Sequence, residues 1–149
     1  MDPNTASIIA LTCGVLSIGA PLLISSWALR VTGWSTLCQK YPLRRTHNGK
    51  WLNFQTMHPG PAMHFGKCVS IGLSTEFIYL KISPLVFPIA PQAQIPWEAI
   101  ASIQEDKNGR TTVALHDGTK LFFGSEKELK AAFHHQLTLL GMQRLIENK

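Results

Sequence analysis

Hydrophobic positions obey three different rules along this chain. From Pro3 to Leu29 no side chain is charged, and apolar residues run from Ile8-Ile9-Ala10-Leu11 through Leu22-Leu23-Ile24 to Trp27-Ala28-Leu29. A helix rises about 1.5 Å per residue, so ~20 residues cover the roughly 30 Å hydrocarbon core of a bilayer. The run predicts a transmembrane helix over 7–31, preceded by a short extracytoplasmic N-terminus, 1–6. After residue 50 the period changes to two, and near the C-terminus it becomes helical.

The period-two region is expected to be one domain over 51–141. Val69, Ile71 and Leu73 alternate with Ser70, Gly72 and Ser74, and Ile78, Leu80 and Ile82 alternate with Phe77, Tyr79 and Lys81. Such alternation marks strands with one buried face. Trp51–Met57 reads as another strand, and a further one is expected near Gln94-Ile95. Asn108-Gly109 and Asp117-Gly118 are pairs favoured in tight hairpins with positive φ at both central positions. They divide Ile100–Glu105, Arg110–Leu115 and Thr119–Gly124 into a three-strand meander.

A helix is predicted directly afterwards. Ser125 followed by Glu128 is a capping-box pattern, and Leu129, Ala132, Phe133, Leu137 and Leu140 share one helical face up to a stop at Gly141. Residues 142–149 form a tail. A meander alone cannot bury that stripe, so a curved sheet capped by the helix is expected.

Charge places the remaining segment. The chain carries +5 overall, and the whole excess lies before Glu76. Arg30, Lys40, Arg44, Arg45 and Lys50 follow the apolar run, and no acid occurs between Asp2 and Glu76. Residues 32–50 therefore read as a basic juxtamembrane linker. By the positive-inside rule the N-terminus lies outside and the C-terminal domain is cytoplasmic, in a single-pass protein of a bacterial inner membrane. Trp27, Arg30, Trp34, Lys40, Arg44 and Arg45 are the expected membrane-interface residues. A cleaved signal peptide would need a basic start, and the only charge before the run is Asp2.

About seven short strands and one C-terminal helix is the element order of a pleckstrin-homology-like barrel. From Val31-Thr32-Gly33-Trp34 through Phe77-Ile78-Tyr79-Leu80 to Ile95-Pro96-Trp97-Glu98-Ala99-Ile100, the chain resembles small bacterial single-span membrane proteins carrying a PH-like or GRAM-like domain. Phe77 stands where that family often has glycine. The resemblance implies an α+β fold, with one N-terminal transmembrane helix and a PH-like antiparallel barrel or sandwich capped by a helix. It implies a membrane address and no ligand.

The sequence displays little chemistry. His58 and His64 flank Pro59-Gly60-Pro61, and His134 and His135 are adjacent on the predicted helix, about 100° apart and unsuited to sharing one ion. Cys13, Cys38 and Cys68 show no paired spacing and read as free thiols. Neither a nucleophile elbow nor a phosphate loop nor a dinucleotide fingerprint is present. No catalytic residue, cofactor or metal is expected, and the protein is not read as an enzyme. Nucleic acid is not expected either, because the basic residues gather beside the apolar run.

What remains is contact chemistry. Gly14 and Gly19 give the apolar run a small-residue face for helix packing. Leu85, Val86 and Phe87 are apolar yet lie among strand-breaking prolines, and Trp97 is read as core. The expected function is a membrane-anchored, non-catalytic interaction module. It would be an accessory, assembly or scaffold subunit contacting the bilayer and another integral membrane protein through Gly14, Gly19, Leu85, Val86 and Phe87. The alternative is a binder of anionic lipid head groups, helped by Arg44, Arg45 and Lys50.

Overall fold

A computed structural model describes residues 27–58, 65–142 and 146–148. The strands are β1 (Trp51–His58), β2 (Phe65–Leu73), β3 (Phe77–Ile82), β4 (Ala93–Pro96), β5 (Ile100–Glu105), β6 (Thr111–Leu115), β7 (Lys120–Phe123) and β8 (Ile146–Asn148). Helix α1 spans Trp34–Lys40 and α2 spans Lys127–Leu139, with a 3₁₀ turn at Trp97–Ala99.

All eight strands form one sheet in the order β4-β3-β2-β1-β7-β6-β5-β8. Seven pair antiparallel, and β8 adds to β5 in parallel. Strand β1 divides its hydrogen bonds between two neighbours. Trp51 to Met57 pair with β2, whereas Met57 and His58 pair with β7. Register shifts on either side of Gln55 permit this hand-over, and Phe54 there takes a positive φ of 59°.

The alternating residues point inward as their period requires. Val69, Ile71, Ile78, Leu80, Ile103, Val113, Leu121 and Phe123 belong to one core cluster, which Leu129, Phe133 and Leu137 of α2 close. Trp97 is part of this core. Its ring meets Phe133 edge-on at 6.1 Å, and its indole N–H donates to the Ser74 carbonyl at 2.8 Å. The side-chain amide of Gln136 donates to that same carbonyl at 3.0 Å, which ties α2 to the β2–β3 turn.

Among the described residues no helix is long and apolar enough to cross a membrane. That finding overturns the predicted membrane-spanning architecture and the single-pass placement in a bacterial inner membrane. Residues 7–26 of the expected span, including Gly14 and Gly19, lie outside the described residues. Its last part, 27–31, is a helical turn whose Leu29 is buried in the domain core. The chain then breaks at Gly33, which adopts φ 79°, before α1 starts.

The closed barrel or sandwich gives way to one sheet with β4 and β8 at its ends, and no ladder joins those two strands. The hairpins also differ from expectation. Only Gly109 and Gly118 take positive φ, not their preceding Asn108 and Asp117. Gly118 N–H closes a turn on Leu115 at 3.0 Å while Leu115 N–H bonds Thr119 at 2.8 Å, the arrangement of a type I turn followed by a left-handed glycine. The capping box is absent. Glu126, not Ser125, precedes the first helical residue, and its Oε1 accepts from the Thr56 backbone N–H at 3.1 Å.

Candidate functional site

Helix α1 and the following strap, 41–50, form a second layer over one edge of the sheet. Trp34 is fully buried, packs edge-on against Phe65 at 5.7 Å, and donates its indole N–H to the Pro91 carbonyl at 2.8 Å. Leu37 and Cys38 are buried beside it. Burial pushes the Cys38 thiol up to about 12, so it is neutral and inert at ordinary pH. Trp34 was expected at a lipid–water boundary; it is a core residue of the domain.

The strap is held by the backbone. Pro42 bridges to Ala93, and Gln94 N–H donates to the Tyr41 carbonyl at 2.9 Å. The buried Gln94 side-chain oxygen accepts both the Arg44 and Arg45 backbone N–H groups, at 2.8 and 3.0 Å. Further along, the His47 ring lies between Trp51 and Tyr79, with centroid separations of 5.0 and 4.8 Å. A segment with the composition of a linker is thus fixed to the sheet at both ends.

This fixing creates a groove of about 500 Å³, lined by Tyr41, Arg44, Arg45, Glu76, Phe77 and Gln94 among others. Arg45 Nη1 lies 3.4 Å from Glu76 Oε2, with both side chains largely exposed. The Arg44 guanidinium makes no ion pair with any described residue. Lys40 is occupied: its Nζ reaches Asp117 Oδ2 at 3.0 Å and the Thr119 hydroxyl at 3.3 Å. Of the six expected interface residues, Lys40, Arg44 and Arg45 therefore meet at one groove, and Trp34 is interior.

Trp27 and Arg30 belong to another surface. Trp27 is 66% exposed, and Arg30 and Val31 are exposed on the same side of the helical turn, at spacings of three and four. A cavity of about 310 Å³ joins this turn to the β3–β4 loop, being lined by Leu29, Arg30, Cys38, Ile89 and Pro91. In that loop Leu85 is 94% exposed, Ile89 61% and Val86 50%. Phe87 turns the other way, half-buried against Phe65 with ring centroids 6.1 Å apart. Loop hydrogen bonds from the Val86 and Phe87 N–H groups to the Ser83 carbonyl, and from Ala90 N–H to Phe87, hold this alternation.

Sequence reasoning missed Val31, Gln94 and Tyr41, whereas Ile89 falls within the apolar, proline-broken stretch Leu85–Pro91 that it singled out. Val31 carries no signal separating an exposed apolar residue from a buried one. Gln94 is recognisable only once the strap is seen to lie over β4.

The histidines and the remaining cleft complete the polar geometry. His134 Nε2 lies 2.9 Å from Glu105 Oε1, while Lys130 pairs with the other carboxylate oxygen; His135 is exposed. Burial raises the Glu105 carboxyl, but the bonds from Lys130 and His134 outweigh it and hold the group below its usual range. A cleft of about 600 Å³ near the start of α2 is lined by Thr56, His58, Arg110, Phe122 and Glu126 among others. Among the described residues no group of three or more histidine, cysteine or acidic side chains could hold a metal ion. No family model matches the chain, and no curated protein matches it in sequence.

Proposed function

We propose that this domain is a non-catalytic interaction module whose contact surface for another protein is the apolar side built by the 27–31 turn and the β3–β4 loop. One observation carries the reading: Leu85 is 94% exposed in a loop whose own hydrogen bonds and the Phe87 anchor hold it there. A floppy loop would fold such a side chain back, whereas this one is braced with its apolar residues outward. Apolar side chains that gather on one face mark interaction surfaces, and a preformed face loses little conformational freedom on binding. Trp27 beside Arg30 supplies the residue types that dominate contact energetics.

Photo-crosslinking in the cell of origin tests this. A photoreactive residue at position 85 or 89 is expected to give one discrete protein adduct. The same residue at the exposed Glu128 of α2 is expected to give none. Identical patterns from all three positions, or no adduct from 85 and 89, overturn the reading.

A further inference from the structure

We infer that the groove between the strap and the β3–β4 edge is an anion site that takes a phosphate group, with Arg44 and Arg45 as its ligands. The inference does not depend on the apolar contact surface and concerns a different place on the molecule.

Three features carry it. The first is preorganisation. A single buried side-chain oxygen, Gln94 Oε1, fixes two consecutive backbone N–H groups, and the Pro42–Ala93 bridge and the seated His47 ring hold the strap on either side. Two guanidinium groups therefore start from a fixed backbone, so binding orders side chains only.

The second is charge. Among the described residues Glu76 is the only acid lining the groove, and Asp117 stands behind it against Lys40 and Tyr41. Its contact with Arg45 is long, at 3.4 Å, and largely solvent-exposed, which makes it a weak pair that a dianion can replace. Arg44 has no ion-pair partner among the described residues. Lys40 lines the rim but its charge is largely offset by Asp117, so Arg44 and Arg45 supply the groove's positive charge.

The third is shape. The groove's volume of about 500 Å³ exceeds what a bare phosphate fills, and Tyr41, Phe77 and Pro96 wall the rest. Paired guanidinium forks match the oxygens of a phosphate, whose dianion they hold better than a single carboxylate. The ligand is a phosphate ester whose carrier lies against Tyr41 and Phe77. A lipid head group and a soluble phosphate ester share that chemistry.

Equilibrium dialysis of the full chain against labelled inorganic phosphate, with chloride at matched ionic strength, provides the first arm. Sedimentation with phosphatidylcholine vesicles, with and without phosphatidic acid, provides the second. Arg44→Gln combined with Arg45→Gln is expected to weaken binding by about tenfold or more in whichever arm shows it. Glu76→Gln is expected to tighten it, because Arg45 is released and a repelling charge is lost; this gain cannot arise from misfolding. Arginine-dependent binding in both arms, or in the phosphate arm alone, supports a site open to soluble esters. Arginine-dependent binding to phosphatidic acid vesicles alone supports a lipid source. Retention indifferent to both arginines, or no retention in either arm, overturns the assignment.

Discussion

The His47 ring occupies the place that a side chain on Gly72 would need. A Cβ built on Gly72 would stand 2.5 Å from His47 Cδ2, with the ring flanked by Trp51 and Tyr79. Trp51, Gly72 and Tyr79 are register partners across β1, β2 and β3, so the missing side chain opens a notch in the middle of the row. Lys81 Nζ lies 4.0 Å over the Trp51 ring. This fit latches the far end of the strap that presents Arg44 and Arg45, whose start is held by Gln94 and the Pro42–Ala93 bridge.

Gly72→Ala is therefore expected to expel the ring and cost about 1–3 kcal/mol, the usual range for overpacking. His47→Ala removes the clash in advance, so the alanine at 72 costs far less in the double variant. Urea unfolding of the four proteins measures this coupling. Additive effects would show that the ring and the notch are independent.

Trp34 and the Pro91 carbonyl form the second latch. Trp34→Ala empties a fully buried site and removes the 2.8 Å bond, for an expected loss of about 3–5 kcal/mol. Trp34→Phe keeps most of the volume but leaves the carbonyl, among the described residues, with the Cys38 Sγ contact at 3.5 Å, for about 1–3 kcal/mol. A surface tryptophan would give near-zero change in both, and chemical denaturation separates the cases.

Leu85 and Phe87 are two residues apart and are expected to respond in opposite ways. Leu85→Asp leaves stability within about 0.5 kcal/mol, since the side chain touches little, and abolishes the adduct formed from position 89. Phe87→Ala costs about 1–3 kcal/mol through the lost packing on Phe65 and loosens the loop. Thermal melts combined with crosslinking yields test the pair. A stability loss at 85 would mean that the loop's exposed face is structural.

Period and turn chemistry made much of the sheet legible. Ile78, Leu80 and Ile82 alternate because one face of β3 is buried, and Asp117-Gly118 marks a real reversal even though only the glycine turns left-handed. The stretch from Trp27 to Lys50 was not legible, and the reason is physical. Lipid and protein core reward the same side chains, so Leu29, Trp34 and Leu37 extend an apolar run whichever surrounds them. The break at Gly33 was visible in the sequence but is tolerated in both settings. The groove was half legible: Arg44 and Arg45 stood out as cations, whereas Gln94, fifty residues away, acquires its role only through the pairing of the strap with β4.

Acid is expected to loosen the α1 end of the strap first. Burial works against ionisation of Asp117. The Thr119 backbone N–H at 2.9 Å, the Lys40 ammonium at 3.0 Å and the Thr119 hydroxyl outweigh it and hold the carboxyl at about 2, below its ordinary 3.8. A carboxyl depressed in the folded state stabilises fully above its unfolded value and loses that contribution as pH falls through the folded one. The window is therefore pH 3.8 down to about 2. Lys40 is nearly half exposed, so solvent screening limits the ion pair, and Asp117→Asn is expected to cost only ~1 kcal/mol at neutral pH. The same variant flattens the stability profile across that window. Denaturation midpoints taken from pH 5 to pH 2 for both proteins check this, and parallel curves would show that Asp117 is not the group that titrates.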